Sequence, residues 1–461
     1  MADFSPFEKK MREAGLPPLA IRTFEHYYAQ LVAGESGTLS RREIEPVEEM
    51  PSAEGLRTRA SGEAALGRTV VLKLNGGLGT SMGMTRAKSL LPVKDGLSFL
   101  DVIARQILWL REAQGVPVPL LLMNSFRTRD DSLALLAGYE ELAGNLPLDF
   151  LQHKVPRVRA DDLSPIHWPE NPEHEWCPPG HGDLYTALFT SGTLDALIGA
   201  GLRTAFVSNA DNLGAVLDLD LLGWFVESGA PFAMEVKHRT AADRKGGHLA
   251  LHKDGRLVLR ESAQCPDEEL GEFGDIELYR FFNTNNLWLD LEALREALAE
   301  RDGVLGLPMI RNPKPVDPTD PDSPAVIQLE TAMGAALSVF PGARAIRVPG
   351  HRFAPVKTTS DLLALWSDAY ELAPDSRILP SPGAHPADMR IDLDPAHFKR
   401  VDQLEAHFPE GAPSLRECRS LSIRGDVHFG ADVVVRGDVE IEAPEGRPLR
   451  IESGTTLGEP S

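Results

Sequence analysis

Cysteine is scarce in this chain: three residues in 461, at Cys177, Cys265 and Cys418. They are odd in number and far apart, which excludes a disulfide framework and makes a reducing cytoplasm the expected compartment. Nowhere does the sequence approach the roughly 18 consecutive apolar residues of a membrane-spanning helix. The N-terminal MADFSPFEKKMREAG is charged where a secretory signal has its apolar centre. Positive charge is also in deficit, with 47 Lys and Arg against 68 Asp and Glu, for a net charge of −21. That balance argues against nonspecific nucleic-acid binding and requires any anionic ligand to be held by a local basic cluster. Neither nucleic acid nor membrane is an expected partner, and the few lysines in glycine-rich loops gain weight.

What is present reads as a globular protein with hydrophobic residues at 42% and charged residues at 25%. A chain of 461 residues exceeds the size at which a single core stops growing, so one large unit and at least one smaller one are expected. Residues 1–65 read as a helical segment, with helices over Pro6–Ala14 and Leu19–Ala33 followed by an acidic, breaker-rich connector. Over 66–384, apolar runs alternate with helical patterns: TVVLKL, FLDVIARQILWLREAQ, PLLLMN, a helix near Asp130–Leu142, TAFVSN and FAMEV. This alternation predicts an α/β fold with a doubly wound sheet and ligand-binding loops at the carboxyl ends of its strands. Over 385–461, Leu421, Val427, Val433 and Val439 recur every six residues, as do Ile423, Phe429, Val435 and Ile441, and RGDV occurs twice. A six-residue apolar period predicts a parallel β-helix, with a plain meander of strands as the alternative.

The stretch KLNGGLGTSMGMTRAKS, from Lys73 to Ser89, follows the first apolar run. Glycines after a strand let backbone N–H groups converge on phosphate. Two familiar phosphate loops fail here. A Walker A loop needs glycine where Met82 and Ala87 stand, and Pro92 interrupts the helix that it would open. A dinucleotide fingerprint finds only its first two glycines, at Gly77 and Gly79. A plain reversing turn remains an alternative for the glycines, but it does not account for Lys88, a flexible cation placed to reach phosphate.

Strand, N-G-G-x-G-T and a lysine downstream resemble the loop of nucleotide-sugar pyrophosphorylases. Further segments follow in order: LLMNSFRTRDDS, PPGHGDLY, FVSNADNLGA, MEVKHRTAADRKGGHL, FFNTNNLW, LETAMGAAL and FAPVKTTSDLL. Together they resemble the UTP–glucose-1-phosphate uridylyltransferase (UDP-glucose pyrophosphorylase) family of eukaryotic type, from about 67 to 370. The resemblance implies a Rossmann-like nucleotidyltransferase domain with a mixed sheet and a C-terminal left-handed parallel β-helix through which copies of the chain can associate. It also implies UTP and glucose 1-phosphate as substrates, with Mg²⁺ as cofactor.

By the same resemblance, Leu74, Asn75, Gly76 and Gly77 cradle the nucleotide, and Lys88 contacts its phosphates. Gln152 and Gly180 meet the uracil, and His181 meets the sugar phosphate. On residue chemistry alone, Gln152 reads as a solvated polar residue and His181 as a turn histidine bonded to its own backbone. Asp211, at the end of TAFVS, suits a Mg²⁺ ligand, with an Asx-turn or helix cap as the alternative for it or for Asn212. Asn209, Gly247, Glu261, Asn283 and Asn285 are carried over as sugar contacts, an amide-rich set suited to hydroxyls. Lys357, which composition alone would leave exposed and inert, is implied as catalytic together with Lys88. One departure stands out: Met84-Thr85-Arg86-Ala87-Lys88 replaces the family's usual Cys-Lys-Gly-Pro-Lys. A pyrophosphorylase for galactose or N-acetylhexosamine 1-phosphate, or a catalytically silent sugar-nucleotide sensor, are the rival readings.

Overall fold

The computed structural model describes residues 3–240, 243–386 and 388–459. Among them a central sheet has ten strands. In chain order they are β1 (Ile44–Pro46), β2 (Thr69–Asn75), β3 (Leu120–Asn124), β4 (Asp149–Leu151), β5 (Thr204–Asn209), β6 (Phe232–His238), β7 (His248–His252), β8 (Leu257–Arg260), β9 (Phe281–Asp290) and β10 (Arg344–Arg347). The main path runs β1-β7-β9-β5-β2-β3-β4, with β6 on β9, β10 on β6 and β8 on β7. Strands β5, β2, β3 and β4 are parallel, whereas β9 pairs antiparallel with both β5 and β6. The fold is therefore mixed α/β.

Every residue of β2 and β3 is buried, as near-continuous apolar runs in a sheet covered on both faces should be. Val70, Leu72 and Leu74 join a core with Leu184, Leu188 and Leu197, while Val71 faces Leu100, Ile103 and Leu222 on the other side. The alternation follows from the two-residue period of a strand. FLDVIARQILWLREAQ forms a helix over Phe99–Gln114, capped where Ser98 Oγ accepts from Asp101 N–H at 3.1 Å. Its reciprocal bond, from Ser98 N–H to Asp101 Oδ2, is 2.9 Å.

The two N-terminal helices span Ser5–Glu13 and Pro18–Val32, and they pack through Phe7, Met11, Phe24 and Tyr28 against Val155, Val158 and Leu329. The acidic connector is more structured than its composition suggested. It supplies the edge strand β1, too short to show a period, and a helix over Arg59–Leu66. The helix expected near Asp130–Leu142 runs over Arg129–Leu136 only, and Gly138 precedes a separate 3₁₀ turn at Glu140–Leu142. In 385–461, Arg390–Leu393, Ser414–Arg424, Val434–Glu442 and Thr456–Leu457 form one parallel sheet, and Val427–Phe429 pairs in parallel with Leu449–Ile451. Leu421 lies opposite Val439 and Ile423 opposite Ile441, three hexads on, so the six-residue series forms the inward face.

Two glycines explain why the Arg59–Leu66 helix sits where it does. A Cβ on Gly62 would lie 1.9 Å from the Leu219 carbonyl oxygen, and one on Gly223 would lie 1.9 Å from that of Thr58. The helix over Leu219–Ser228 therefore meets its neighbour backbone to backbone. We predict that Gly223→Ala forces these helices apart and costs about 1–3 kcal/mol in urea unfolding. An unchanged midpoint would contradict the contact.

Candidate active site

The carboxyl ends of β2, β3 and β5 open into a cleft of about 310 Å³. Leu74, Asn75, Gly76, Gly77, Lys88, Gln152, Gly180, His181, Asn209 and Asp211 all line it. Ser89, Met123, Pro178 and Ala210 complete its wall without having been singled out, since nothing in their type distinguishes them from ordinary neighbours. Residues far apart in sequence thus share one chamber.

The glycine loop is held from both ends. The Asn75 amide donates to Asn124 Oδ1 at 2.7 Å and to Ser132 Oγ at 2.8 Å, so this side chain is spent inside the protein and the main chain faces the cleft. Lys88 N–H donates to the Gly77 carbonyl at 3.0 Å, which closes the loop through the departing Thr85-Arg86-Ala87 segment. The Lys88 ammonium donates to Asp211 Oδ2 at 2.6 Å and to the Val356 carbonyl. Gln152 bridges two walls: its amide donates to the Gly180 carbonyl at 3.0 Å, and its Oε1 lies 2.8 Å from where a Cβ on Gly76 would stand. Gly180 is needed on two counts, with φ at +78° and the Thr331 carbonyl oxygen 2.4 Å from a would-be Cβ.

His181 is not bonded to its own backbone. Its Nδ1 accepts from Met333 N–H at 2.9 Å, so in the neutral ring Nε2 carries the proton. Burial pushes its pKa down to about 4, so the imidazole is a neutral donor at physiological pH. Asn212 adopts the local role weighed for it: its Oδ1 accepts from Gly214 N–H at 3.2 Å and from Ala354 N–H at 3.0 Å. The helix that follows begins later, capped by Asp218.

Gly247, Glu261, Asn283 and Asn285 form a second group outside the cleft lining. Asn283 N–H donates to the Gly247 carbonyl at 3.1 Å, and a Cβ on Gly247 would lie 2.6 Å from a Glu261 carboxylate oxygen. The Asn283 amide donates to Asn285 Oδ1 at 2.8 Å, so the two amides partly satisfy each other, with Asn285 at φ +57°. Burial raises the Glu261 pKa, against the opposing charge of Lys357 and a hydrogen bond from Asn283. Lys357 is exposed and does not line the cleft, with its ammonium 5.7 Å from the Phe353 ring centroid. It directly follows Val356, whose carbonyl holds Lys88.

A third set of residues gave no functional signal in the sequence. Glu235, the single charge in FAMEV, is fully buried and accepts from Arg352 at 2.7 and 2.8 Å, from Trp288 Nε1 at 3.0 Å and from the Asn286 amide at 3.0 Å. Asn286, an amide beside Asn283 and Asn285 in FFNTNNLW, belongs to this network. The Asn212 amide donates to Asn286 Oδ1 and to the Arg352 carbonyl, both at 3.1 Å. Nearby, buried Lys73 donates to Ser208 Oγ and the Ala215 carbonyl, both at 2.7 Å. Its pKa falls to about 7, chiefly through burial and then the Arg352 charge, with Glu235 opposing.

A family model described as UTP–glucose-1-phosphate uridylyltransferase matches residues 21–436. The chain belongs to that family. Among curated relatives, the uridylyltransferase of Solanum tuberosum is 43% identical over 395 residues, 85% of this chain and 80% of its own. That of Saccharomyces cerevisiae is 43% identical over 394 residues, with 85% and 77% covered. Among solved structures, a UDP-glucose pyrophosphorylase mutant of Leishmania major in complex with UDP-glucose superposes with a TM-score of 0.93 at 43% identity, covering 99% and 98% of the two chains. The Trypanosoma brucei UDP-glucose phosphorylase superposes at 0.90 with 46% identity, covering 98% and 97%. The uridylyltransferase family is one of nucleotidyltransferases, and among the described residues no helix is long and apolar enough to cross a membrane.

The His181 geometry makes a direct prediction. In nitrogen-detected NMR its ring should stay neutral, with the proton on Nε2, from pH 8 down to pH 5, as a pKa of about 4 requires. A ring that titrates near the ordinary value of about 6.5 would contradict it.

Proposed function

We propose that this protein transfers the uridylyl group of UTP to glucose 1-phosphate, giving UDP-glucose and pyrophosphate. The observation that carries this reading is the cleft itself, where a glycine loop, the Lys88 ammonium, the Asp211 carboxylate and the Gln152–Gly180 wall converge. An oxygen of the sugar phosphate attacks the α-phosphorus of UTP in line, and pyrophosphate departs. Catalysis of such a step rests on positioning and on cations that offset charge.

Each residue then has a task. The main chain of Leu74–Gly77 holds the nucleotide, while Gln152 and the Gly180 backbone read the uracil edge with a donor and an acceptor. Neutral His181 donates to the sugar phosphate, because a protonated ring would add a charge that burial disfavours. Asn209, Gly247, Glu261, Asn283 and Asn285 bind the hexose hydroxyls. Lys88 and Lys357 stabilise negative charge on the phosphates, with Lys357 the principal contributor in the transition state.

Asp211 fits Mg²⁺. It is an oxygen donor at a strand end, already compensated by a cation at 2.6 Å, and Mg²⁺ is commonly held by one or two carboxylates with phosphate oxygens completing the shell. When bound, the ion would neutralise phosphate charge. With Asp211 so engaged, the Lys88 ammonium would be available to phosphate.

We further propose a division into an N-terminal helical segment (1–65), a Rossmann-like doubly wound nucleotidyltransferase domain (66–384) and a left-handed parallel β-helix (385–461). The eighteen-residue spacing of Leu421 and Val439 suits a coil of three hexads. Copies of the chain can pair through the open end of that β-helix, whose last strand needs a cap or a partner. Three buried free thiols suit a reducing cytoplasm.

Two measurements test the reading. Lys357→Ala should lower turnover by about 10²-fold or more while UTP still binds. Near-normal turnover would remove Lys357 from the mechanism. In a panel of glucose, galactose and N-acetylglucosamine 1-phosphates with UTP and Mg²⁺, pyrophosphate release should be fastest with glucose 1-phosphate. Preference for another sugar would reassign the substrate, and no release with any would make the protein a sensor.

A further inference from the structure

Away from the cleft, three histidines and an aspartate gather where two short helices meet the first parallel strands of the C-terminal region. His397 lies on the helix Pro395–Phe398, His407 ends the helix Val401–His407, and Asp426 and His428 flank the start of the strand Val427–Phe429. Ligand atoms of His397, His407 and Asp426 all lie within 4.8 Å of one another. His407 Nε2 is 3.0 Å from Asp426 Oδ1, and His428 Nε2 is 2.8 Å from the same oxygen.

The hydrogen bonds at the far side of each ring give the cluster its chemical sense. His407 Nδ1 lies 2.7 Å from the Gln403 carbonyl and His428 Nδ1 3.2 Å from the Ala406 carbonyl. A carbonyl only accepts, so each Nδ1 carries a proton, and each neutral ring turns a bare Nε2 lone pair toward a carboxylate oxygen. Lone pair facing lone pair is repulsive. The two rings stack at 4.5 Å with planes 19° apart.

A divalent cation between His407 Nε2 and Asp426 resolves that conflict. Imidazole ligands characteristically donate their second N–H to a main-chain carbonyl, as His407 does here. Metal bonds of about 2.0–2.2 Å set ligand atoms about 3.3 Å apart in a tetrahedron, close to the nitrogen–oxygen separations found. Nitrogen donors with one carboxylate suit zinc rather than magnesium or calcium. We propose that His397, His407 and Asp426, with His428 stacked on His407, form a zinc-type metal site that fastens the helical pair to the C-terminal parallel strands.

The location gives the ion something to hold. The Phe398 carbonyl accepts from Thr359 Oγ1 at 2.6 Å, two residues beyond Lys357, and the Arg400 side chain packs over Gly83 of the nucleotide loop. A clamp at His397–His407 therefore steadies the segment on which both active-site loops lean.

The test uses the full chain, stripped with chelator and titrated with Zn²⁺ against a chromophoric competitor. His397 and Asp426 are only partly buried, so His397→Gln and Asp426→Asn should fold. We expect one equivalent of tightly held zinc in the parent, weakened roughly tenfold or more in each of these variants and unchanged in Asp211→Asn. Failure of the parent to take up an equivalent, undiminished affinity in either cluster variant, or loss of zinc in Asp211→Asn would overturn the site.

Discussion

Glu235 lies at the centre of β6, fully buried, where its neighbours Phe232, Ala233, Met234 and Val236 are all apolar. A carboxylate there would be untenable without compensation, and the two-pronged bond from Arg352 supplies it. The pair reaches well beyond itself. Through Trp288 and Asn286 it locks β6 to β9, and through the Arg352 carbonyl it receives the amides of Asn286 and Asn212. Asn212 adjoins Asp211, and Arg352 begins the loop that leads to Lys357. The two segments that carry Asp211 and Lys357 are therefore referenced to one buried ion pair. Such a pair adds little net stability over an apolar replacement, but losing one partner leaves a buried charge without compensation. Its value here is registration.

The same economy appears in the cleft wall. Gly180 permits a backbone approach that any side chain would block, and it places His181 where Met333 fixes the tautomer. Burial then keeps the ring neutral, so it can donate a hydrogen bond without repelling a nearby lysine. Lys88 is held by Asp211 and Val356, and Val356 N–H in turn donates to the Asp211 carbonyl at 3.3 Å. The three chain segments that meet at Lys88 are thus cross-bonded.

Much of this was legible in the sequence, for identifiable reasons. Strands β2, β3 and β5 announce themselves as unbroken apolar runs because both faces of the sheet are covered. The hexad series emerges because the inward positions of parallel strands must be apolar. Loop glycines are legible because only glycine meets the geometry. Long-range polar partnerships were not: nothing near Glu235 points to Arg352, 117 residues on. Asn286 looked like its neighbours Asn283 and Asn285, yet the irregular pairing of β9 at Glu235–Val236 turns it into the buried network. Lys357 drew attention only through likeness to relatives, because an exposed lysine before a capping threonine has no signature of its own. The helix over Arg59–Leu66 was hidden by Gly62, whose purpose lies in a partner helix far along the chain.

The central claim is that the Glu235–Arg352 pair holds both loops in register. Native-state hydrogen exchange on Arg352→Met, read at the Gly214 and Ala354 amides that bond to Asn212 Oδ1, tests it most directly. The account predicts that both amides lose protection together, with a fall of about 3–5 kcal/mol in global stability. Protection retained at both amides would contradict it.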